Sequence, residues 1–291
     1  MKTASLLALL MALSFQSSEA AEPEVPEASP TAVPLAPGLP ATPPADPAKF
    51  ELYLLVGQSN MAGRGPLTPA DKVADPRVLV LDHADKWVTK GEPIHFDKPG
   101  MLGVGPGYTF GKLMADHKPG VIIGLIPCAF GGTTLEQWDP KSTDKKLYPP
   151  DNLYENAIRR AQIAMKSGTL KGILWHQGEG NSGSEAAAKD YAARLAQLIA
   201  SFRTDLNAPK VPFIVGEIGY FLYVKGPLPE RVNSEIDKVP QVSPYCAVAS
   251  AKGLTDKGDH LHFNNASQKE LGKRYFEAYL QMQDAPSSAK P

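Results

Sequence analysis

Residues 51–65 read ELYLLVGQSNMAGRG. Leu52, Tyr53, Leu54, Leu55 and Val56 form a short continuous apolar run, the pattern of a strand buried on both faces. Gly57 ends the run, and Ser59 follows two residues later. A serine just past a buried strand suits a nucleophile at the carboxyl edge of an open α/β sheet. The same spelling also suits a plain strand-to-helix turn with Ser59 as the N-cap. The rest of the chain has to choose between them.

Downstream, apolar runs of two lengths alternate. Val78–Leu81, Val121–Pro127, Gly172–Trp175, Val211–Val215 and Cys246–Ala249 read as further short strands. Helical spacing appears over Gly107–His117, Asn152–Ser167, Ser184–Leu206 and Asn265–Met282. The last has a marked start, with Asn264, Asn265 and a Ser267-to-Glu270 capping box. This alternation predicts βαβ units, a parallel central sheet and helices on both of its faces. Polar groups beyond the carboxyl ends of the strands are then the functional candidates.

Four segments fall there: Gly57–Met61, Cys128–Thr134, Trp175–Asn181 and Asp259–Phe263. An acyl-transfer site needs a nucleophile, a base, a carboxylate that orients the base, and donors for the oxyanion. Ser59 is the candidate nucleophile and His262 the candidate base. Asp259 lies three residues before His262, and one helical turn would set its carboxylate beside the imidazole. His260 competes as base but is expected to point away. The candidate oxyanion donors are the N–H groups of Ser59 and Gly131 and the side-chain amide of Gln177. One such donor is worth about 2.7–4 kcal/mol. Asp-x-x-His, Gly-Gly and a strand-end glutamine are each common; four such segments at strand ends are not.

Together GQSNMAGRG, GGTTLEQW, WHQGEGN and DHLHF resemble the motif blocks of the SGNH hydrolase superfamily, in its carbohydrate acetylesterase branch with sialate O-acetylesterase-like proteins and acetylxylan esterases. The resemblance runs from Phe50 to Met282. It implies a flavodoxin-like three-layer α/β/α sandwich and metal-free, cofactor-free hydrolysis of acetyl esters on sugars. It implies Ser59, Asp259 and His262 as the triad, Gly131 or its neighbour Gly132 as the oxyanion glycine, and Gln177 in place of the superfamily's third-block asparagine. The third block departs from its relatives at Gly180-Asn181, where a serine followed by Asp or Asn is usual. With Ser59 on the first strand and Asp and His three apart, an α/β-hydrolase order is not expected.

Arg64 and Glu179 are the other charges in these segments, and they are expected to pair and join the first and third loops. Of the three tryptophans, Trp138 is the best placed to offer its face to a sugar. His83, His95, His117 and His176 lack metal-ligand spacing.

Composition sets the outer bounds. The chain has 291 residues, 43% hydrophobic and 21% charged, with a formal net charge of -1. That fits a globular domain with a sizeable core and points to neither nucleic acid nor an anionic membrane as partner. Met1–Ala20 reads as a secretory signal, with Lys2, an apolar stretch from Leu6 to Phe15, and Ser18-Glu19-Ala20 at a cleavage site. Residues 21–48 are rich in Pro, Ala and Glu and are expected to form a disordered linker, with a disordered tail after residue 283. Cys128 and Cys246 are expected to be free. The expected protein is an exported serine esterase acting on acetylated carbohydrate, of open oligomeric state. The alternatives are a non-catalytic glycan-binding module or a lipase- or thioesterase-like member of the same fold.

Overall fold

The computed structural model describes residues 38–284. The expected export signal, residues 21–37 and the tail after residue 284 lie outside them. Among the described residues eight strands make one sheet: β1 (Leu39–Pro40), β2 (Phe50–Gly57), β3 (Val78–Leu81), β4 (Trp87–Thr89), β5 (Ile122–Pro127), β6 (Thr169–His176), β7 (Phe213–Gly216) and β8 (Cys246–Ala249). Their order is β1-β4-β3-β5-β2-β6-β7-β8. From β3 to β8 every pairing is parallel.

All eight residues of β2 are buried. Successive side chains of a strand point to opposite faces, so Leu52, Leu54 and Val56 enter one core while Tyr53 and Leu55 enter the other. The first core is closed by α3 (Leu153–Ala164), α5 (Tyr191–Asp205), α6 (Pro227–Ile236) and α7 (Val239–Val242). The second is closed by α2 (Pro106–His117) and α8 (Asn265–Asp284). The three-layer α/β/α sandwich expected from the alternation is the fold observed. No helix among the described residues is long and apolar enough to cross a membrane.

Four departures have identifiable causes. The sheet has an antiparallel edge, because β4 pairs with β3 at Val80↔Val88 and β1 pairs with β4 at Pro40↔Val88. β4 is too short to carry a pattern of its own; its partners make it a strand. Residues 38–48 therefore belong to the domain and not to a linker, and Asp46 caps a short 3-10 helix at Pro47–Lys49. The expected helix over 184–206 is two: α4 (Glu185–Ala188) and α5, separated by Asp190 in a left-handed conformation at φ 53°. The helix α6 is not among the expected elements; it buries Pro229, Val232 and Ile236 at helical spacing and begins on Pro227 in the first turn, where a missing N–H costs nothing. At the start of α8, Asn264 Oδ1 accepts the Ser267 N–H at 2.8 Å, and Ser267 Oγ instead takes the Thr255 N–H at 2.9 Å.

The central strands set the site. Leu55 lies level with Pro127 of β5, and Gly57 with His176 of β6. The loops leaving β2, β5 and β6 thus rise side by side. Gly57 has φ +123°, and a Cβ there would stand 2.1 Å from the His176 carbonyl oxygen. Only glycine lets the two backbones pass so closely. The Gln58 N–H closes the crossing, donating to that same oxygen at 2.8 Å.

Candidate active site

Ser59 opens α1 (Ser59–Ala62), a single turn held at the mouth of β2. Its Oγ lies 3.1 Å from His262 Nε2, and His262 Nδ1 lies 2.7 Å from Asp259 Oδ2. A carboxylate only accepts, so Nδ1 carries the ring proton and Nε2 is left to accept from the serine hydroxyl. Ser59 and His262 are both buried. Asp259 reaches His262 without a helical turn. Residues 258–262 form a bend in which Asp259 Oδ1 accepts the N–H groups of Leu261 at 3.0 Å and His262 at 2.8 Å. Burial pushes the Asp259 carboxyl upward, but these amides and the His262 ring outweigh it and bring it down to about 2. His260 points to solvent, 3.6 Å from Asp256.

Asn60 ties the serine turn to the histidine loop. Its Nδ2 donates to the Leu261 carbonyl at 3.1 Å, and its Oδ1 accepts the Phe263 N–H at 3.2 Å, so it grips the backbone on both sides of His262. The same Nδ2 donates to Glu179 Oε1 at 2.5 Å. Glu179 also faces His176 Nε2 at 3.6 Å. Burial opposes its charge, yet His176 and Asn60 hold its carboxyl below the usual range. Nothing in the sequence singled out Asn60 beyond its place in the first block.

Arg64 and Glu179 do not pair. Arg64 Nη2 meets Asp97 Oδ2 at 2.6 Å, with the two side chains 1% and 0% exposed. Asp97 lies in a Pro- and Gly-containing loop with no sequence signal, and it is the partner the arginine needed to be buried. The same Oδ2 accepts the Gly131 N–H at 2.8 Å. The expectation that Gly131 offers a free donor is therefore corrected. Gly131 sits between the two groups: a Cβ there would stand 2.5 Å from Arg64 Nη2 and 3.3 Å from Ser59 Cβ.

Gln177 is also committed. It is fully buried. Its two amide hydrogens face three acceptors, Asn181 Oδ1 at 2.8 Å, the Thr133 carbonyl at 3.1 Å and Gln58 Oε1 at 3.2 Å. Its own oxygen accepts from Tyr191 OH at 2.7 Å. It joins the second and third loops and has no hydrogen left for an oxyanion. Asn181 completes the seam by accepting the Leu135 N–H at 2.8 Å. Trp138 offers no face to a sugar: it is fully buried against Trp175, with its Nε1 on Thr133 Oγ1 at 3.2 Å. Cys128 and Cys246 are both free thiols.

Two titratable groups in the segment before Asp97, His95 and Glu92, are buried and form no ion pair among the described residues. His95 has no partner on either ring nitrogen, and burial pushes its pKa down to about 3. Glu92 is pushed up to about 8 by burial, against the pull of the Gly105 and Ile94 N–H groups. A depressed histidine stabilises the fold fully above its unfolded value, about 6.5, and that contribution is lost as the pH falls toward 3. A raised carboxyl contributes fully below about 4.3, and that contribution is lost as the pH rises through 8. His95→Phe is therefore expected to raise the urea midpoint at pH 5, relative to that at pH 7, above what the wild type shows. A pH 5-to-pH 7 difference equal to that of the wild type sinks the assignment.

Residues 49–281 match the model of the family described as carbohydrate esterase, sialic acid-specific acetylesterase. A probable carbohydrate esterase of Arabidopsis thaliana is 31% identical over 254 residues, covering 79% of this chain and 90% of that protein. The X-ray structure of that plant's protein superposes with a TM-score of 0.71 at 30% identity, over 81% of this chain and 99% of that one. NanS superposes with a TM-score of 0.64 at 16% identity, over 81% and 98%. A carbohydrate acetylesterase from Xanthomonas citri does so at 0.61 and 20% identity, over 79% and 56%. The last two show the fold alone.

Proposed function

The chain belongs to the sialic acid-specific acetylesterase family of carbohydrate esterases, and from that premise we propose that it is a serine esterase that removes acetyl groups from a carbohydrate. The observation that carries this reading is the unbroken chain Ser59 Oγ, His262 Nε2, His262 Nδ1, Asp259 Oδ2, with contacts of 3.1 and 2.7 Å. Ser59 Oγ attacks the acetyl carbonyl while His262 Nε2 takes its proton. His262 returns the proton to the sugar oxygen as it leaves. Water, deprotonated by the same nitrogen, then releases acetate from Ser59. Asp259 holds Nδ1–H throughout and stabilises the imidazolium formed at each step. Its carboxyl lies near 2, so this support is present across the range in which esterases are assayed.

Backbone donors for the oxyanion are the N–H groups of Ser59 and of Gly132, the second member of the glycine pair. Neither finds an acceptor among the described residues. The reading is tested on the full chain with acetylated xylan, acetylated sialic acid and acetylated pectin. Acetate is expected from at least one, and an organophosphonate should modify Ser59 and stop the release. Sugar binding without acetate release from any of them, and no modification of Ser59, overturns it in favour of a glycan-binding module.

A further inference from the structure

We propose that Gln58, the residue before the nucleophile, supplies the side-chain donor to the oxyanion, and that Gln177 serves to aim it. This rests on the serine-esterase reading above. Gln58 is 3% exposed, and both ends of it are fixed. Its backbone N–H donates to the His176 carbonyl at 2.8 Å, and its own carbonyl accepts the N–H groups of Met61 and Ala62, both at 3.0 Å. Its side-chain Oε1 accepts the Gly180 N–H at 3.1 Å and Gln177 Nε2 at 3.2 Å.

These partners decide which way round the amide stands. A backbone N–H only donates, so the atom facing Gly180 must be the oxygen. Gln177 is fixed by the same logic: its nitrogen faces the Thr133 carbonyl, which only accepts. The Gln58 NH₂ group is thereby turned away from both. It hydrogen-bonds to nothing among the described residues, and it is not among the polar atoms sealed from solvent. A nearly buried amide thus presents two unused N–H bonds from the residue next to the nucleophile, between the loops that leave β5 and β6. A donor aimed before the reaction pays no reorganisation cost when charge develops on the acyl oxygen. Gly180 belongs to the same device, since a Cβ there would stand 2.5 Å from the Thr133 oxygen and 3.4 Å from Gln58 Oε1. A larger residue would push the third loop off the glutamine.

The test replaces the donor and keeps the shape. Gln58→Met is expected to lower kcat on p-nitrophenyl acetate by about 10²–10³-fold, as for loss of one oxyanion donor. KM should stay nearly unchanged, because the interaction forms only in the transition state. Gln58→Glu keeps an acceptor facing Gly180 and removes the donor, so its loss should be at least as large. Full kcat in either folded variant overturns the proposal. Should neither variant fold, the wild-type protein decides it. When Ser59 is phosphonylated, the Gln58 side-chain amide resonance should move downfield, and an unmoved resonance overturns the proposal. Ser59→Ala separates the two levels: a dead Ser59→Ala beside fully active Gln58 variants removes Gln58 alone, whereas an active Ser59→Ala removes the esterase reading itself.

Discussion

Ser59→Ala and His262→Ala are each expected to lower kcat on p-nitrophenyl acetate by about 10⁴-fold or more, and the double variant to be no worse than either. The reason is that the two groups act as one. Without the imidazole, the hydroxyl 3.1 Å away has no acceptor for its proton; without the hydroxyl, the base has nothing to activate. Whatever rate is left comes from binding and from oxyanion donors, which both variants keep. Initial rates, with thermal melts to show that each variant folds, give the answer. Losses that multiply in the double variant would mean two independent contributions, and near-full activity in Ser59→Ala would remove the mechanism.

Arg64→Ala should be the most damaging change to stability outside the apolar cores. It strips the counter-charge from Asp97, whose side chain is 0% exposed. Breaking a buried ion pair on one side costs about 3–5 kcal/mol, because the remaining charge stays in a medium that solvates it poorly. For a domain of this size that corresponds to a fall in Tm of about 6–20 °C. The paired replacement Arg64→Met with Asp97→Leu should recover most of that stability, since apolar residues of similar volume tolerate burial. It should not recover the rate. Gly131 N–H loses the carboxylate oxygen that holds it at 2.8 Å, and the glycine turn beside Ser59 loosens. Urea unfolding and acetate release on the same samples separate the two effects. An Arg64→Ala protein within about 1 kcal/mol of wild type contradicts this account of the pair.

The two kinds of residue in this site differ in how they announce themselves. Ser59, His262 and Asp259 stand in short segments whose spelling reflects a local need. Gly57 lets one strand end cross another, and Asp259 folds back on the two amides that precede and include His262. Asp97 is different. Its neighbours in sequence say nothing of Arg64, which lies 33 residues away along the chain. Glu179 and Arg64 looked like a pair because they were the two charges left over. Charge alone does not carry distance, and each found another partner: Glu179 found Asn60 and His176, and Arg64 found Asp97. Trp138 carried the same ambiguity. An indole suits a sugar or a core equally well, and its contact with Trp175 settled the matter.

The amino-acid order by itself determined the layered sheet, the strand that carries Ser59, and the meeting of Ser59 with His262 across 203 residues. Those follow from the periodicity of apolar side chains and from the short motifs at strand ends, both of which are local. Tertiary structure decided which amides are spent and which are free. Gln177 and Gly131 are taken by acceptors from other loops, and the Gln58 nitrogen is left over only because its oxygen is taken. Hydrogen-bond capacity is used up by neighbours in space, and a linear chain does not record who those neighbours are.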